Sequence, residues 1–199
     1  MNQERFQERF REEWLNTAVR DVTAQVFTPA QIIVPVEDIQ VSVGFCKGQT
    51  ALGQCWSREA SDKGRIEIFI SPIEDDAIEV LGTLAHELNH AVDNCKSGHR
   101  APFKRRCEKI GLIWEMQTRG CHTESTPDLI ETFQQITKNL GAYPHAKITP
   151  KERLKKQTTR MKKLECTQCG AVLRASQQVL NGMTSPTVCP VCRDESLEF

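Results

Sequence analysis

Five consecutive residues have the types and spacing that zinc-dependent hydrolysis requires. They read His86-Glu87-Leu88-Asn89-His90, and on a helix two side chains four residues apart project from the same face. The two imidazoles can therefore occupy two corners of a zinc tetrahedron, while the intervening glutamate lies beside a water molecule on the metal. The pattern predicts a metal site in which Glu87 takes a proton from that water as it attacks a peptide carbonyl.

The third protein ligand has more than one candidate. We favour His99, nine residues after the second histidine, because it lies in a glycine-flanked loop that can fold back to the metal. Glu108 and Glu115 are the alternatives, since a glutamate from the following helix completes thermolysin-type sites. A metzincin arrangement is excluded, because the positions that would carry its next glycine and histidine hold Asp93 and Lys96.

Two residues near position 144 are candidates for substrate contact. His145 could donate a hydrogen bond to a tetrahedral oxyanion, and Tyr143 stands two residues before it. An extended peptide substrate could also pair with the backbone of the strand predicted at 65–70, if that strand forms the edge of its sheet.

The segments around the motif predict helices and strands that would position it. Apolar residues at helical spacing predict a leading helix over 3–24, and alternation of apolar and polar residues predicts strands. The motif itself should lie on a helix that runs to about residue 94, with its apolar stripe on a different side from the two histidines. Further helices are expected to start near 102 and 126; the strands are predicted at 32–36, 39–45 and 65–70.

Four of the nine cysteines form two C-x-x-C pairs, Cys166 with Cys169 and Cys189 with Cys192, 19 residues apart. Two such pairs at this separation can bring four thiolates into a tetrahedron around one zinc ion. A module of about 35 residues buries little apolar surface, so metal binding should supply its folding energy. We predict a structural zinc ribbon over 165–199.

The charge of the chain is unevenly distributed. Residues 1–146 hold 16 Lys and Arg against 21 Asp and Glu, whereas 147–199 hold 10 against 5, although the whole chain has a formal net charge of zero. A basic run raises the local concentration of polyanions. A basic run is also typical of a solvated linker between domains, and we place such a linker at 147–164. The candidate nucleic-acid contacts in it are Lys155, Lys156, Arg160, Lys162 and Lys163.

Composition indicates an ordinary globular protein, with 39% apolar and 26% charged residues. No segment approaches the roughly 20 apolar residues of a membrane helix, and the first 20 residues lack the apolar stretch of a secretion signal. We therefore expect a cytoplasmic location and no membrane partner. The five cysteines outside the pairs are expected to be reduced thiols.

Taken together, the order of these parts resembles the SprT-like zinc metallopeptidases, the family of bacterial SprT and eukaryotic Spartan. The likeness rests on His86, Glu87, His90 and His99 together with a C-terminal four-cysteine ribbon, and is greatest to compact versions in phages and mobile elements. It implies an α+β fold: a small gluzincin-like metalloprotease domain over 1–146, with a short sheet, followed by linker and ribbon.

By the same resemblance, His86, His90 and His99 hold a catalytic zinc ion and Glu87 is the catalytic base, with a second, structural zinc in the ribbon. The expected activity is endoproteolysis of proteins associated with nucleic acid, with the linker and ribbon contacting DNA; a phage-encoded form would act in the host cytoplasm. The alternative is a non-catalytic zinc-ribbon adaptor for nucleic acid or transcription, in which the H-E-x-x-H metal is structural.

Overall fold

The computed structural model describes residues 10–47, 50–117, 120–144, 146–149, 161–182, 188–193 and 197–198, with only the backbone of 115–117, 120–121 and 197–198. The chain divides into two units, Met1–Pro150 and Lys151–Phe199. Both contain helix and strand, which gives a mixed α/β protein with small sheets. In the described part of the chain, no helix combines the length and hydrophobicity that crossing a bilayer requires.

The first unit begins with α1, Arg11–Val22, whose fully or nearly buried face includes Trp14, Leu15 and Ala18. A π-helical segment, Thr23–Phe27, continues it. The helix predicted over 3–24 is therefore present from residue 11 and extends past its predicted end, while residues 3–9 lie outside the described ranges.

A three-stranded sheet follows, with strands β1 (Ile39–Val43), β2 (Gly53–Trp56) and β3 (Ile66–Ile70) in the order β1-β3-β2. β3 is parallel to β1 and antiparallel to β2. Its alternate residues are fully buried, as the period-two pattern predicts. β3 is the central strand, so the prediction that it could be the edge that receives a substrate is wrong; β2 is an edge strand instead.

The strand predicted at 32–36 is absent. Gln31 adopts a left-handed backbone conformation with φ of 58°, and the amide of Ile32 donates to the carbonyl of Phe27. Ile33 is 88% exposed. Pro35, which has no amide hydrogen for a strand ladder, precedes a 3-10 turn at Val36–Asp38. The run of apolar residues is therefore a turn and a loop that lead into β1.

The helix that carries the H-E-x-x-H motif is α2, Ala77–Ala91. The carboxylate of Asp76 caps its start by accepting from the amides of Ile78 and Glu79 at 2.9 and 3.1 Å. The helix contacts β2 and β3 of the sheet, and also α1. Packing on several sides restricts its movement, which fixes the direction in which its histidines project.

Two helices and a pair of strands complete the first unit around α2. Helix α3, Ala101–Ile110, ends at Gly111, whose φ of 80° is the left-handed conformation that glycine favours at a helix terminus. The chain then forms an antiparallel pair, β4 (Leu112–Gln117) and β5 (Gly120–Ser125), which the sequence did not predict. Helix α4, Pro127–Leu140, packs against α1 and α2. The main core runs between these helices and the sheet; it includes Trp14, Phe27, Ile68, Leu84, Leu88, Phe103 and Phe133.

The second unit contains strands β6 (Lys162–Cys166) and β7 (Val172–Ala175), helix α5 (Gln177–Gly182) and strand β8 (Leu197–Glu198). β6 is central and antiparallel to both neighbours. The linker predicted at 147–164 therefore overlaps β6 at its end. It also overlaps the first unit at its start, since Lys147 and Ile148 donate backbone hydrogen bonds to Asp75 and Pro72.

Candidate functional site

Three histidines from two segments converge on one point. His86 and His90 project from α2, and His99 comes from the turn between α2 and α3. The Nε2 atom of His99 lies 3.2 Å from Nε2 of His86 and 2.9 Å from Nε2 of His90. The three nitrogens thus form a cluster of the kind that holds a metal ion, and the structure brings His99 to the pair that the motif supplies.

The spacing of the nitrogens fits a zinc ion. Zinc binds imidazole nitrogen at about 2.0–2.1 Å, which places two tetrahedral ligands about 3.3–3.4 Å apart. The observed separations of 3.2 and 2.9 Å are close to that distance. Hydrogen bonding alone does not explain the arrangement, because a single proton on His99 Nε2 could serve only one of the two neighbouring nitrogens. A shared cation satisfies all three lone pairs.

All three histidines favour the neutral form that a metal ligand requires. Burial lowers the pKa of His86 to about 3, with further lowering by the charges of His90 and His99. Burial likewise lowers the pKa of His90 to about 4 and lowers that of His99. At neutral pH each ring therefore keeps one nitrogen lone pair, which the tautomer protonated on Nδ1 would offer to a divalent cation at Nε2.

A threonine from β5 orients one of the rings. The Nδ1 atom of His86 lies 3.0 Å from Oγ1 of Thr123. If Nδ1 carries the proton and donates it to the hydroxyl, Nε2 keeps its lone pair for a metal, which is the usual way in which an outer partner fixes the tautomer of a histidine ligand. Sequence gave no signal for this contact, because Thr123 is 37 residues away along the chain.

A buried polar network holds the His99 turn against the two helices. The guanidinium of Arg106, on α3, donates to Oδ1 and the backbone carbonyl of Asn89, to the carboxylate of Asp93 at 3.0 Å and to the hydroxyl of Ser97. Ser97 in turn donates to Asp93. Because Asn89 is fully buried and Ser97 nearly so, these bonds fix the start of the turn that carries His99.

Aromatic side chains surround the three imidazoles. Phe103, fully buried on α3, stacks on His90 with ring centroids 4.3 Å apart and contacts the other two rings at 5.0 and 5.1 Å. Trp114 of β4 contacts His99 with centroids 5.3 Å apart. These rings restrict rotation of the imidazoles and exclude water from one side of the cluster, so the ligand positions are held before any ion binds.

The side chain of Glu87, a residue of α2, lies against the edge strand β2. Glu87 is 6% exposed, and a Cβ atom added to Gly53 would lie 2.5 Å from its Oε1 and 2.7 Å from its Cγ. Burial raises the pKa of Glu87 to about 8, and the charge of Cys95 adds to the increase, whereas a backbone hydrogen bond at Cys55 acts against it. Glycine at position 53 is therefore what gives this carboxyl group its space.

Glu87 is not a member of the histidine cluster, whose three ligand atoms lie within 4.8 Å of one another. Three donors from the described residues thus converge, and the adjacent carboxyl group is held separately by β2. A positive charge lowers the pKa of a nearby carboxyl group, so binding of a divalent ion would shift Glu87 toward its ionised form.

The second cluster consists of the four ribbon cysteines. The sulfur of Cys166 lies 3.6 Å from that of Cys192, and the sulfur of Cys169 lies 3.8 Å from that of Cys189. All four sulfurs lie within 4.8 Å of one another. Zinc–sulfur bonds of about 2.3 Å place tetrahedral sulfurs about 3.8 Å apart, so this donor set also fits zinc.

The two cysteine pairs share one backbone geometry. The amide of Gly170 donates to the carbonyl of Cys166 at 2.9 Å, and the amide of Arg193 donates to the carbonyl of Cys189 at 2.8 Å. Both donors have a left-handed backbone, with φ of 68° and 62°. Gly170 is the residue type expected in such a turn, whereas Arg193 was not predicted for its equivalent.

The other predicted site residues are not members of either cluster, and the structure describes the side chains of only some of them. Tyr143 is buried and packs edge-on against Trp14, with ring centroids 5.1 Å apart, and its hydroxyl has no hydrogen-bond partner among the described residues. Its proposed contact with substrate stays a prediction.

Glu108, the alternative ligand, is exposed on α3 and is not part of the histidine cluster. The side chains of Glu115, His145, Lys155, Lys156 and Arg160 lie outside the described residues; Lys162 and Lys163 are exposed on β6.

Comparison of this chain with protein-family models, with curated proteins and with solved structures finds no match.

The two clusters predict two zinc ions per chain, which can be assigned by variants. His99→Ala should lower the zinc content to about one, because it removes one of three imidazole donors, and Cys166→Ser should do the same at the ribbon. Metal analysis by mass spectrometry after dialysis measures the stoichiometry. His122→Ala is the matched control, since His122 is exposed and should leave two ions bound. An unchanged zinc content in His99→Ala would contradict the histidine site.

Proposed function

We propose that the chain is a zinc-dependent endopeptidase in which His86, His90 and His99 hold the catalytic ion and Glu87 is the general base. The observation that carries the proposal is the convergence of three imidazole nitrogens, with Nε2 of His86 and of His90 within 3.2 Å of His99 Nε2, next to the buried carboxyl group of Glu87 on α2. A purely structural ion would give Glu87 no role, although burying a carboxyl group costs free energy. The ribbon cysteines hold a second ion with a structural role.

When bound, zinc would polarise the substrate carbonyl and acidify water. The protein's own part is to move the proton. Glu87 takes it from the attacking water and delivers it to the departing amine, and a pKa near neutrality lets one group do both. Burial raises the pKa of Glu87 to about 8, which lies close to that range, and the positive charge of a bound ion would lower it.

The edge strand supports a role in holding an extended peptide. Among the described residues, β2 pairs with β3 alone, so one side of its backbone is available to a further strand. Gly53 and Cys55, the residues that contact the carboxyl group of Glu87, belong to the same strand. A peptide paired with β2 would therefore lie beside the proposed base, and backbone pairing would make cleavage tolerant of sequence.

We propose further that the first unit has a gluzincin-like fold and that the chain is an SprT-like peptidase that acts on proteins associated with nucleic acid. The support is the combination of one three-stranded sheet, the H-E-x-x-H helix, the third histidine after it and the four-cysteine cluster. Its location would be the cytoplasm.

A second candidate function is nucleic-acid binding by the ribbon unit, alone in an adaptor or beside proteolysis. Lys163 on β6 and Arg174 on β7 are directly opposite in the antiparallel register and both are exposed. Like charges at such a pair are unfavourable, and a phosphate group would compensate them. The Nζ atom of Lys163 also lies 2.5 Å from a carboxylate oxygen of Glu165, which partly neutralises the positive charge of this face.

Glu87→Gln tests the proteolytic assignment. The amide preserves the size of the side chain and cannot accept the proton, so zinc content should stay at the wild-type value while cleavage of an unfolded protein such as casein falls by about 10²–10⁴-fold. Gel analysis of casein fragments and metal analysis of the same samples measure both. Equal cleavage by wild type and variant would refute the proposal; His122→Ala should cleave as wild type does.

Gly53→Ala tests whether the position of the carboxyl group matters. The added methyl group would approach Oε1 and Cγ of Glu87 to 2.5 and 2.7 Å, so the buried side chain must move. We expect cleavage to fall at least about tenfold, as small displacements of catalytic groups commonly do, with zinc content preserved.

Gly44→Ala is the control for that variant, because a Cβ atom there meets only Phe69 at an ordinary 3.5 Å. Cleavage within twofold of wild type is expected for Gly44→Ala. The same rate in Gly53→Ala would show that the contact with β2 does not position Glu87 for catalysis.

A multiple alanine variant tests nucleic-acid binding. It replaces Lys155, Lys156, Lys162 and Lys163, and Arg174→Ala is added because Arg174 lies opposite Lys163 in the sheet. Affinity for DNA should fall, and the dependence of log K on log salt should flatten by up to about 0.9 per lost phosphate contact. Fluorescence anisotropy across a salt series measures the slope. Lysine-to-arginine replacement at the same four positions should preserve it, and an unchanged slope in the alanine variant would identify the run as a linker only.

A further inference from the structure

Two cysteines outside the ribbon lie within reach of each other. Cys55 is on β2, Cys95 is in the turn after α2, and their sulfur atoms are 3.3 Å apart across 40 residues of sequence. Both side chains are partly exposed. A disulfide bond has a sulfur–sulfur distance of about 2.05 Å, so the two atoms need to approach by only about 1.3 Å to be joined.

The backbone around Cys95 is held in an uncommon conformation. Asn94 and Cys95 have φ of 56° and 61°, the left-handed region that residues other than glycine seldom adopt. The amide of Cys95 donates to the carbonyl of His90 at 2.9 Å. This turn directs the Cys95 sulfur toward β2.

A second set of contacts ties the same two segments together. The side-chain amide of Asn94 donates to both carboxylate oxygens of Glu59 at 2.9 and 2.8 Å, and the backbone amide of Arg58 donates to Asn94 Oδ1 at 2.8 Å. Arg58 and Glu59 belong to a 3-10 turn that starts two residues after β2 ends at Trp56. Because these bonds flank the two sulfurs, the thiols are held close by contacts that do not involve sulfur, as a preformed dithiol requires.

The other two cysteines that are described in the first unit have different surroundings. Cys46 and Cys107 are buried, and burial raises the pKa of each to about 11. Cys46 contacts the carbonyl oxygens of Gly44 and Phe69, and Cys107 contacts the side-chain amide of Asn89. By contrast, each of Cys55 and Cys95 has the other thiol as its neighbour, at 3.3 Å.

We propose that Cys55 and Cys95 form a redox-active dithiol, which hydroperoxides oxidise to a disulfide. The thiolate of one cysteine attacks one oxygen of the peroxide, the O–O bond breaks, hydroxide leaves and that cysteine becomes a sulfenic acid. The sulfur of the other cysteine then attacks the sulfenic sulfur; the S–O bond breaks, the S–S bond forms, and the oxygen leaves as water with the proton of the attacking thiol. In total two thiols lose two electrons and one hydrogen peroxide is reduced to two water molecules.

The bond would join the edge strand to the turn between two of the candidate metal ligands. Cys55 lies two residues from Gly53 on β2, and Cys95 lies between His90 and His99. Oxidation would therefore fix the strand that seats Glu87 relative to the segment that carries His99. The dithiol chemistry does not depend on the proposed peptidase activity, and its test needs no cleavage assay.

The sequence allows a direct test on the full-length, zinc-loaded protein. Trypsin places Cys55 in the peptide 48–58 and Cys95 in the peptide 66–96, each with no other cysteine. The reduced protein is treated with hydrogen peroxide near stoichiometric amounts, free thiols are alkylated, and the digest is analysed by mass spectrometry without reduction. We expect the two peptides to be joined with the loss of two hydrogen atoms and to be separated by dithiothreitol.

Two variants test whether Cys55 and Cys95 react with each other. In Cys55→Ser, Cys95 should accumulate as a sulfenic acid that dimedone traps, whereas Cys46→Ser, the matched control, should form the linked peptides at the wild-type rate. The proposal is overturned if peptides 48–58 and 66–96 remain alkylated while Cys46, Cys107 or the ribbon cysteines are oxidised. It is equally overturned if Cys95 proceeds to sulfinic acid in the wild-type protein without forming the linked pair.

Discussion

The arrangement of the first unit depends on bringing three neutral imidazole nitrogens to one point. Burial lowers the pKa of His86, His90 and His99 and so favours neutral rings, and each neutral imidazole can offer one lone pair to a cation. The fold must therefore hold the three rings at separations at which one ion could accept all three lone pairs. It does so with packing on several sides of α2, with the aromatic rings of Phe103 and Trp114, and with the hydroxyl of Thr123 behind His86.

The turn that carries His99 is the part of the cluster most in need of support, because a loop has more freedom than a helix. Arg106 compensates for this by bonding to Asn89 on α2 and to Asp93 and Ser97 in the turn. The network is partly buried and includes an ion pair, so the loss of one partner would leave others unsatisfied in a region of low polarity. Positions within the interval between His90 and His99 thus act as structural supports for the third ligand.

Sequence reasoning recovered the features that depend on local spacing and missed those that depend on contacts distant in sequence. The i and i+4 histidines, the buried alternation of β3, the helix starts near 102 and 126 and the four cysteines all follow from short-range periodicity or pairing. β2 and the β4–β5 pair were missed because Gly53 and the mixed polar residues of β5 lack a clear alternation. The apolar run at 32–36 led to the opposite error, the prediction of a strand that is absent. Pro35 and the left-handed backbone conformation of Gln31 place these residues in a turn and a loop. Thr123, Arg106 and the approach of Gly53 to Glu87 join residues that only the tertiary fold brings together.

The two clusters differ in the number of donor atoms that they offer to a metal ion. Four thiolates would complete the coordination that zinc prefers, so the four-cysteine cluster could satisfy an ion entirely from the protein, which suits a structural role. Among the described residues of that unit, the buried side chains are Leu164, Leu180, Cys166 and Cys189, and a bound metal would help to stabilise so small a core. Among the described residues the other cluster supplies three donors, and the carboxyl group of the adjacent Glu87 is held against β2 instead of joining them. Three neutral ligands would leave a bound zinc ion its full positive charge and one coordination position for a molecule from solution, and the proposed polarisation of a carbonyl would require both.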